Sequence, residues 1–288
     1  MNRTRIAIQG GPASFHDAAA RQLLAGNPVE TVPCTTFRSL CAALQQAEVD
    51  VAAMAIENTL AGSLLPNYGL VQEYGLHIAA ELWMPIDQNL MALPGQRIDA
   101  LQTVLSHPVA LAQCSSFLQR HPHLHPQETH DTADSAKLIQ EQQLQNTAAI
   151  AGKAAAALYG LEILAEGIAE SNQNHTRFLL LQREQPATLA IANKAILTFR
   201  KPLHTSTLTL LLSLLQKHRV ELALLQHLPS TTERGDMVAE LEAEHVEQLQ
   251  EAIGQVRPLV EELQVLGLLQ KAARPAATVS EKETAAIH

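Results

Sequence analysis

From residue 5 to residue 160, short apolar runs alternate with segments whose apolar positions recur at helical spacing. That alternation predicts strands and helices in turn. Residues 5–9 (R-I-A-I-Q), 49–56 (V-D-V-A-A-M-A-I), 76–82, 88–92, 104–107 and 148–150 read as strands. Helical patterns run onward from Ser14 and over 64–74, 108–119, 132–142 and 152–159. Ser14 with Asp17 three residues on is a capping-box-like start, with Asp in place of Glu. Pro108 falls at an N1 position. The βαβ alternation predicts an α/β fold, a parallel or mixed sheet with helices on both faces.

The pattern breaks over 183–193 (R-E-Q-P-A-T-L-A-I-A-N), which reads as an interdomain linker. Beyond it, strands at 194–200, 220–227, 236–243 and 265–268 alternate with helices at 207–219 and 245–263. The order βαββαβ is the ferredoxin-like module. The leucine-rich run 208–215 is too short for repeated heptads and reads as a helix core. From residue 272 small, polar and charged residues dominate, and a disordered tail over 272–288 is expected. The chain therefore divides into 1–185, 194–271 and that tail.

Composition narrows the functional classes. Hydrophobic residues are 47% and charged residues 17%, as in ordinary globular proteins. A net charge of −9 argues against a broad nucleic-acid or anionic-membrane surface. Cys34, Cys41 and Cys114 have neither metal-ligand spacing nor a disulfide framework, so a reducing compartment is the simplest reading. The first residues run into a strand without a secretory h-region, and no apolar run of about 18 residues exists. A cytoplasmic location is the expectation.

Open α/β sheets bind ligands beyond the carboxyl ends of their strands. Small polar residues recur there, in the turns 10–14 and 57–63, at Ser106-His107 and at Asp131-Thr132. Each precedes a helix start, where free N–H groups favour anions. The functional reading is a cleft for a small carboxylated ligand; the plainer one is helix capping. The segment 172–178 (N-Q-N-H-T-R-F) places a hydroxyl, a guanidinium and an aromatic ring on consecutive residues. In a strand, Thr176 and Phe178 would share one face and Arg177 the other. Arg177 could pair with a carboxylate or form a structural ion pair with Glu57 or Glu81. His121, His123, His125 and His130 suggest a metal site, but two prolines among them point to a surface loop, and no metal is expected. Cys114 has no evident neighbouring base and reads as inert.

Taken together, several elements resemble the prephenate dehydratase family across nearly the whole chain. They are Ile8-Gln9-Gly10 with Ser14-Phe15, Ile56-Glu57-Asn58-Thr59 with Gly62-Ser63, and His107-Pro108 with Gln113-Cys114. Asp131-Thr132-Ala133, Tyr159-Gly160-Leu161 and Asn174 with Thr176-Arg177-Phe178 complete the set. The resemblance implies a two-lobed, periplasmic-binding-protein-like catalytic domain and a C-terminal ACT domain. It implies decarboxylating dehydration of prephenate to phenylpyruvate, without a cofactor. Thr176, Arg177 and Phe178 become the catalytic candidates. Thr176 would donate a hydrogen bond to the departing hydroxyl, and Phe178 would form a wall. Ser14, Glu57, Asn58, Thr59, Gly62, Ser63, His107, Gln113 and Asn174 become substrate-binding candidates, with Glu57 either a general acid or an acceptor that orders its loop. One departure is Ala13, where the family usually has glycine; a positive φ there would cost alanine something.

The implied regulatory domain departs further. Where the family carries Gly-Ala-Leu for phenylalanine, this chain has Ser206, Thr207 and Leu208. Where it carries Glu-Ser-Arg-Pro, this chain has Gln226, His227, Leu228 and Pro229. Weak, absent or altered amino-acid feedback is expected, on a homodimer or homotetramer. Arogenate is the alternative substrate, and a non-catalytic carboxylate sensor the alternative class. Chorismate mutase activity is not expected, because no flanking helical domain is seen.

Overall fold

The computed structural model describes residues 3–171, 173–200, 204–229 and 236–274. The chain opens with β1 (Thr4–Gln9), α1 (Phe15–Leu23), β2 (Val29–Cys34), α2 (Phe37–Gln45), β3 (Val51–Asn58), the short β4 (Gly62–Ser63), α3 (Leu65–Glu73) and β5 (His77–Pro85). There follow β6 (Asn89–Ala92), β7 (Thr103–Ser106), α4 (Pro108–Gln113), α5 (Ser115–Arg120), β8 (His125–Glu128), α6 (Thr132–Gln142), β9 (Thr147–Ala151), α7 (Lys153–Tyr159) and β10 (Glu162–Ala165). After β11 (His175–Gln182), the last part comprises β12 (Lys194–Arg200), α8 (Thr205–Lys217), β13 (Glu221–His227), β14 (Asp236–Glu242), α9 (Val246–Val256) and β15 (Glu261–Leu269).

Three sheets result. The first runs β2-β1-β3-β11-β5 with β4 beside β3, the second β10-β6-β9-β7-β8, the third β13-β14-β12-β15. β1 pairs in parallel with β2 and β3, whereas β11 returns antiparallel between β3 and β5. The chain leaves the first sheet after β5, builds the second, and comes back through β11. The two crossings are tied together: the Ile86 amide donates to the Asn174 carbonyl at 2.8 Å, and Ile168 donates to Gln88 at 2.9 Å. Two α/β lobes joined by a double crossing are the periplasmic-binding-protein arrangement. The third sheet, in the order β13-β14-β12-β15 with α8 and α9, is the ferredoxin-like module.

The strands are legible because they are apolar on both faces, as central strands between layers must be. Ile6, Ala7 and Ile8 are fully buried, and so are Ala52, Ala53, Met54 and Ile56 of β3. Helix starts follow from caps. The Ser14 hydroxyl accepts from the Asp17 amide, and Asp131 accepts from the Ala133 and Asp134 amides. Each such cap contributes about 1 kcal/mol.

Several sequence expectations are corrected. β2 and α2 were hidden because β2 is an edge strand carrying Pro33, tolerated only at edges. The helix expected over 108–119 breaks at Cys114 into α4 and α5. The histidine-rich segment is not all loop: His125 to Glu128 form β8, an exposed edge strand parallel to β7. The helix expected over 245–263 stops at Val256, because Pro258 interrupts it, and β15 begins earlier, at Glu261. Of the expected tail, 272–274 is held against the first lobe. The Ala272 amide donates to Glu81 at 2.9 Å, and Arg274 lies 5.1 Å from the Trp83 ring centroid. Residues 275–288 lie outside the described residues.

The C-terminal sheet is docked tightly onto the first lobe. Ile196, Leu228, Val238, Leu266 and Leu269 share one core with Ile78, Leu179, Leu181 and Tyr68. A Cβ on Gly267 would lie 2.6 Å from the Ile78 carbonyl oxygen, so β15 approaches β5 more closely than any side chain allows.

Candidate active site

The crossing strand β11 carries the residues that the sequence singles out, and its alternation sends them in opposite directions. Thr176 meets Asn58 at the end of β3. Asn58 Nδ2 donates to Thr176 Oγ1 at 3.0 Å, to Asn174 Oδ1 at 2.8 Å and to the His175 carbonyl at 3.2 Å. Asn58 Oδ1 accepts from the Leu60 and Ala61 amides at 3.0 and 2.9 Å. Those two amides fix which way the carboxamide faces, since only an oxygen can accept them. Thr176 Oγ1 is therefore an acceptor from Asn58. Among the described residues nothing accepts its own proton. The hydroxyl is left to donate to whatever lies beside it.

The chain of amides continues to the second lobe. Asn174 Nδ2 donates to Gln113 Oε1 at 3.0 Å. Because that oxygen is occupied as an acceptor, Gln113 presents its own NH2. Asn58 on the first lobe, Asn174 just before the crossing strand, Thr176 on it, and Gln113 at the end of α4 thus form one connected polar line at the hinge.

Other candidates have settled functions. Thr59 donates to the Gln173 carbonyl at 2.6 Å and accepts from the His175 amide at 2.9 Å, which locks its loop to the hinge. This corrects its assignment as a substrate donor. His107 Nδ1 accepts from the Val109 amide, capping α4. Ser14 is buried and caps α1, which leaves its own proton available. Gly62 turns the hairpin into β4 at φ 86°. Phe178 is buried beside Ala19, Ala55 and Met84, with its ring edge-on to His16 at 5.0 Å.

The loop 10–14 reaches across to the second lobe. A Cβ on Gly10 would stand 3.0 Å from Asp131 Oδ2 at the start of α6. Tyr159 donates to the Pro12 carbonyl at 3.3 Å. Ala13 does adopt a positive φ, 63°, and its methyl packs among Ala133, Ala151 and Ala155 of the second lobe, offsetting the strain. Burial pushes the Asp131 carboxyl above its ordinary value.

Of the two readings of Arg177, the structural ion pair is the one observed, and its place among the catalytic candidates is corrected. It points away from Asn58 and Thr176, towards the C-terminal sheet, and is 2% exposed. Its Nε donates to Glu81 Oε2 at 2.7 Å, and its Nη1 to both oxygens of Glu240 at 2.9 and 3.0 Å. Lys194 adds a second cation 2.9 Å from Glu240, and Tyr68 donates to Glu240 at 2.6 Å. Burial alone would raise the Glu240 carboxyl, but Arg177 and Lys194 hold it below its ordinary value. Arg177 is thus part of a structural ion cluster and is not offered to a substrate carboxylate. Glu57 lies on the same side, 3.6 Å from Arg177, and with Ser63 lines a cavity of about 310 Å³ between the first lobe and the C-terminal sheet. Neither belongs with Asn58, because β-strand neighbours face opposite ways.

The histidine-rich segment is locally engaged: His121 Nδ1 contacts the Phe117 carbonyl and His123 Nε2 the Ile98 carbonyl. Among the described residues no three His, Cys, Asp or Glu converge as metal ligands. Burial, then Glu170, pushes the Cys114 thiol up to about 12, which keeps it protonated. No helix among the described residues is long and apolar enough to cross a membrane.

The fold and the hinge site define a two-lobed α/β cleft protein, with a hydroxyl and carboxamide cluster between its lobes and a ferredoxin-like sheet behind it. A sequence model of the prephenate dehydratase family matches residues 6–186, more than half of the chain, and the chain belongs to that family. The chloroplastic arogenate dehydratase 5 of Arabidopsis thaliana is 41% identical over 181 residues, 62% of this chain and 42% of the relative. The match thus spans less than half the length of that relative. A solved structure described as GqqA, a novel type of quorum-quenching acylase, is 28% identical with a TM-score of 0.82, covering 93% of this chain and 98% of its own. The prephenate dehydratase of Arthrobacter aurescens, solved with L-Phe, has a TM-score of 0.83 at 24% identity, covering 96% and 93%, and shares the fold.

Proposed function

We propose that the chain catalyses the decarboxylating dehydration of prephenate to phenylpyruvate, a step of phenylalanine biosynthesis. The observation that carries this reading is the Thr176 hydroxyl at the lobe hinge, oriented as an acceptor by Asn58 and with no acceptor for its own proton among the described residues. In the reaction the bond to the ring carboxylate breaks and carbon dioxide leaves. The electron pair moves into the ring, and the hydroxyl at the opposite carbon departs. It takes up one proton to become water. Thr176 is too weak an acid to supply that proton, which comes from solvent. Its hydrogen bond instead stabilises negative charge as it develops on the departing oxygen, an effect worth about 2.7–4 kcal/mol for one well-placed donor.

The substrate is a dianion, and with Arg177 in the ion cluster its carboxylates must be met by neutral donors. We assign this to Ser14 at the start of α1, Gln113 Nε2 and the helix-end amides of the cleft that no side chain caps. That is consistent with an acidic protein taking an acidic substrate: the recognition is local. The name of the Arabidopsis relative supports arogenate as the alternative substrate. Amide hydrolysis by an acylase would call for a base beside the nucleophile, and Thr176 has an amide donor there instead. The C-terminal module is read as an ACT-type regulatory domain, on a homo-oligomer in a reducing, cytoplasm-like compartment.

The test is one assay of the purified chain with prephenate and with arogenate, following phenylpyruvate and phenylalanine. Turnover of prephenate that Thr176→Val lowers about 100- to 1,000-fold is the expected result. No turnover with either substrate would favour the sensor reading.

A further inference from the structure

The ion cluster behind Arg177 belongs to two parts of the chain. Glu81 comes from β5 of the first lobe, whereas Glu240 and Lys194 come from β14 and β12 of the C-terminal sheet. Their side chains are all at most 5% exposed. Glu240 takes both of its oxygens to one nitrogen of Arg177, takes a third bond from Tyr68, and is paired with Lys194. A buried carboxylate held by four contacts has no freedom to wander.

Arg177 is the residue next to Thr176. Just there, the ladder between β11 and β3 shifts register: Thr176 and Arg177 face Asn58 and Glu57, but Phe178 faces Ala55. A bulge of this kind re-aims the side chains beside it and interrupts regular pairing. On the β3 side only two regular pairs, Thr176–Asn58 and Arg177–Glu57, precede the shift, whereas on the β5 side the ladder runs unbroken from His175 to Leu180. The guanidinium of Arg177 is clamped from behind, and that clamp pins the strand at this point.

We propose that Glu240, in the C-terminal sheet, is a positioning residue for the hinge site: by fixing Arg177 it holds β11 in place beside the bulge, and with it the position from which the Thr176 hydroxyl donates. This rests on the reading of Thr176 as the donor to the departing hydroxyl. It makes the C-terminal module part of the rear wall of the catalytic lobe. Any movement of that sheet, including one driven by an effector, is transmitted to Thr176 through two side chains.

The experiment uses the full chain and measures kcat and KM separately with prephenate, or with arogenate if that is the better substrate. The variants are Glu240→Gln, Tyr68→Phe, Asn58→Ala and the Glu240→Gln/Asn58→Ala double. Glu240→Gln should lower kcat about tenfold or more, the scale of a small displacement at a reacting group. Its KM should stay within about threefold, because the clamp touches no bound substrate. Since Glu240 and Asn58 position the same hydroxyl, the double variant should be no worse than about twofold below Asn58→Ala. A cooperatively folded Glu240→Gln with wild-type kcat overturns the proposal, and so do losses that multiply in the double variant. If Glu240→Gln does not fold, Tyr68→Phe decides: it removes only the bond to Glu240. A few-fold fall in kcat at unchanged KM supports the clamp, and wild-type kcat overturns it. A wild-type chain that turns over neither substrate is a separate outcome, which removes the reading of Thr176 and this inference with it.

Discussion

Asn58 donates to Thr176 Oγ1 at 3.0 Å while its own oxygen accepts two backbone amides, so the pair can hold only one orientation. Asn58→Asp separates the two ends of that carboxamide. The aspartate keeps the oxygen that orders the Leu60 and Ala61 amides, so the loop should stay folded. It loses the donor, and the Thr176 hydroxyl should turn to donate to the new carboxylate instead of to substrate. We expect kcat to fall about 100- to 1,000-fold with the thermal midpoint nearly unchanged, as for loss of a preorganised donor. Steady-state kinetics beside a melting curve would check this. Turnover within about threefold of wild type would mean that the hydroxyl direction does not matter.

Arg177→Leu tests the ion cluster as structure. Without the guanidinium, Glu81 and Glu240 keep their bonds from the Ala272 amide and Tyr68, but share a single buried cation among the described residues, Lys194, 3.4 and 2.9 Å away. Removing one partner of a buried pair typically costs 3–5 kcal/mol, and we expect a loss of about that size in urea unfolding. Thr176→Val should leave the urea midpoint in place while lowering kcat about 100- to 1,000-fold. An Arg177→Leu protein as stable as wild type but inactive would instead point to contact with substrate.

The sequence carried the central strands of both lobes, because continuous apolar runs such as those holding Ile6 to Ile8 or Ala52 to Ile56 leave little choice of structure. It also carried the opposition of Thr176 and Arg177, which follows from strand alternation. It named Glu57 and Glu81 as ion-pair partners for Arg177, and both lie beside it, but it did not carry Glu240. Glu240 lies 63 residues further on, and only its place as a lone acid in the apolar run M-V-A-E-L marked it. Lys194, at the head of K-A-I-L, was a matching sign. Burial of β12 on both faces was a third, since a sheet covered by helices on one side only should alternate. The grouping of Glu57 and Ser63 with Asn58 was misleading because a motif contiguous in sequence is split between two faces by the strand that bears it. Edge elements such as β2 and β8 were hidden for another reason: their exposed polar positions and prolines resemble loop.

Gly267→Ala probes how the third sheet is held. The added methyl would meet the Ile78 carbonyl oxygen at 2.6 Å and the Ile78 Cβ at 2.8 Å. Backbone cannot retreat as a side-chain tip can, so β15 must lift from β5. We expect a destabilisation of about 1–3 kcal/mol, the usual cost of overpacking. Limited proteolysis should also show faster cleavage near 183–193. Unchanged stability would show that the contact between the sheets is looser than drawn.

Phenylalanine should have little effect on this chain. Leu228 stands where the family carries arginine, and its side chain is buried in the core shared with Val238 and Leu266. Ser206 and Thr207 occupy the first turn of α8, and neither restores the lost charges. Isothermal titration with phenylalanine should give no saturable heat in the micromolar range, and activity should be unchanged at those concentrations. A micromolar site would mean that effector recognition uses different residues.

His16 should give the fold a pH dependence of known sign. Its Nε2 is buried between the rings of Phe37 and Phe178 without a hydrogen-bond partner among the described residues, although the residue as a whole keeps some exposure. Burial lowers its pKa to about 4 from 6.5, so the native state holds it neutral. The unfolded chain takes up the proton first as pH falls. Stability from this residue is therefore complete above about pH 6.5, declines as pH drops towards 4, and changes no further below that. The full span is of order 3 kcal/mol, from the size of the shift. Urea unfolding at pH 7, 6, 5 and 4.5 should show this decline in the wild-type chain, on top of the contributions of other groups. His16→Leu should remove that component and flatten the profile over the same range. If the two profiles run parallel from pH 7 to 4.5, His16 is protonated in the folded chain, and the packing of α1 against Phe178 must admit water.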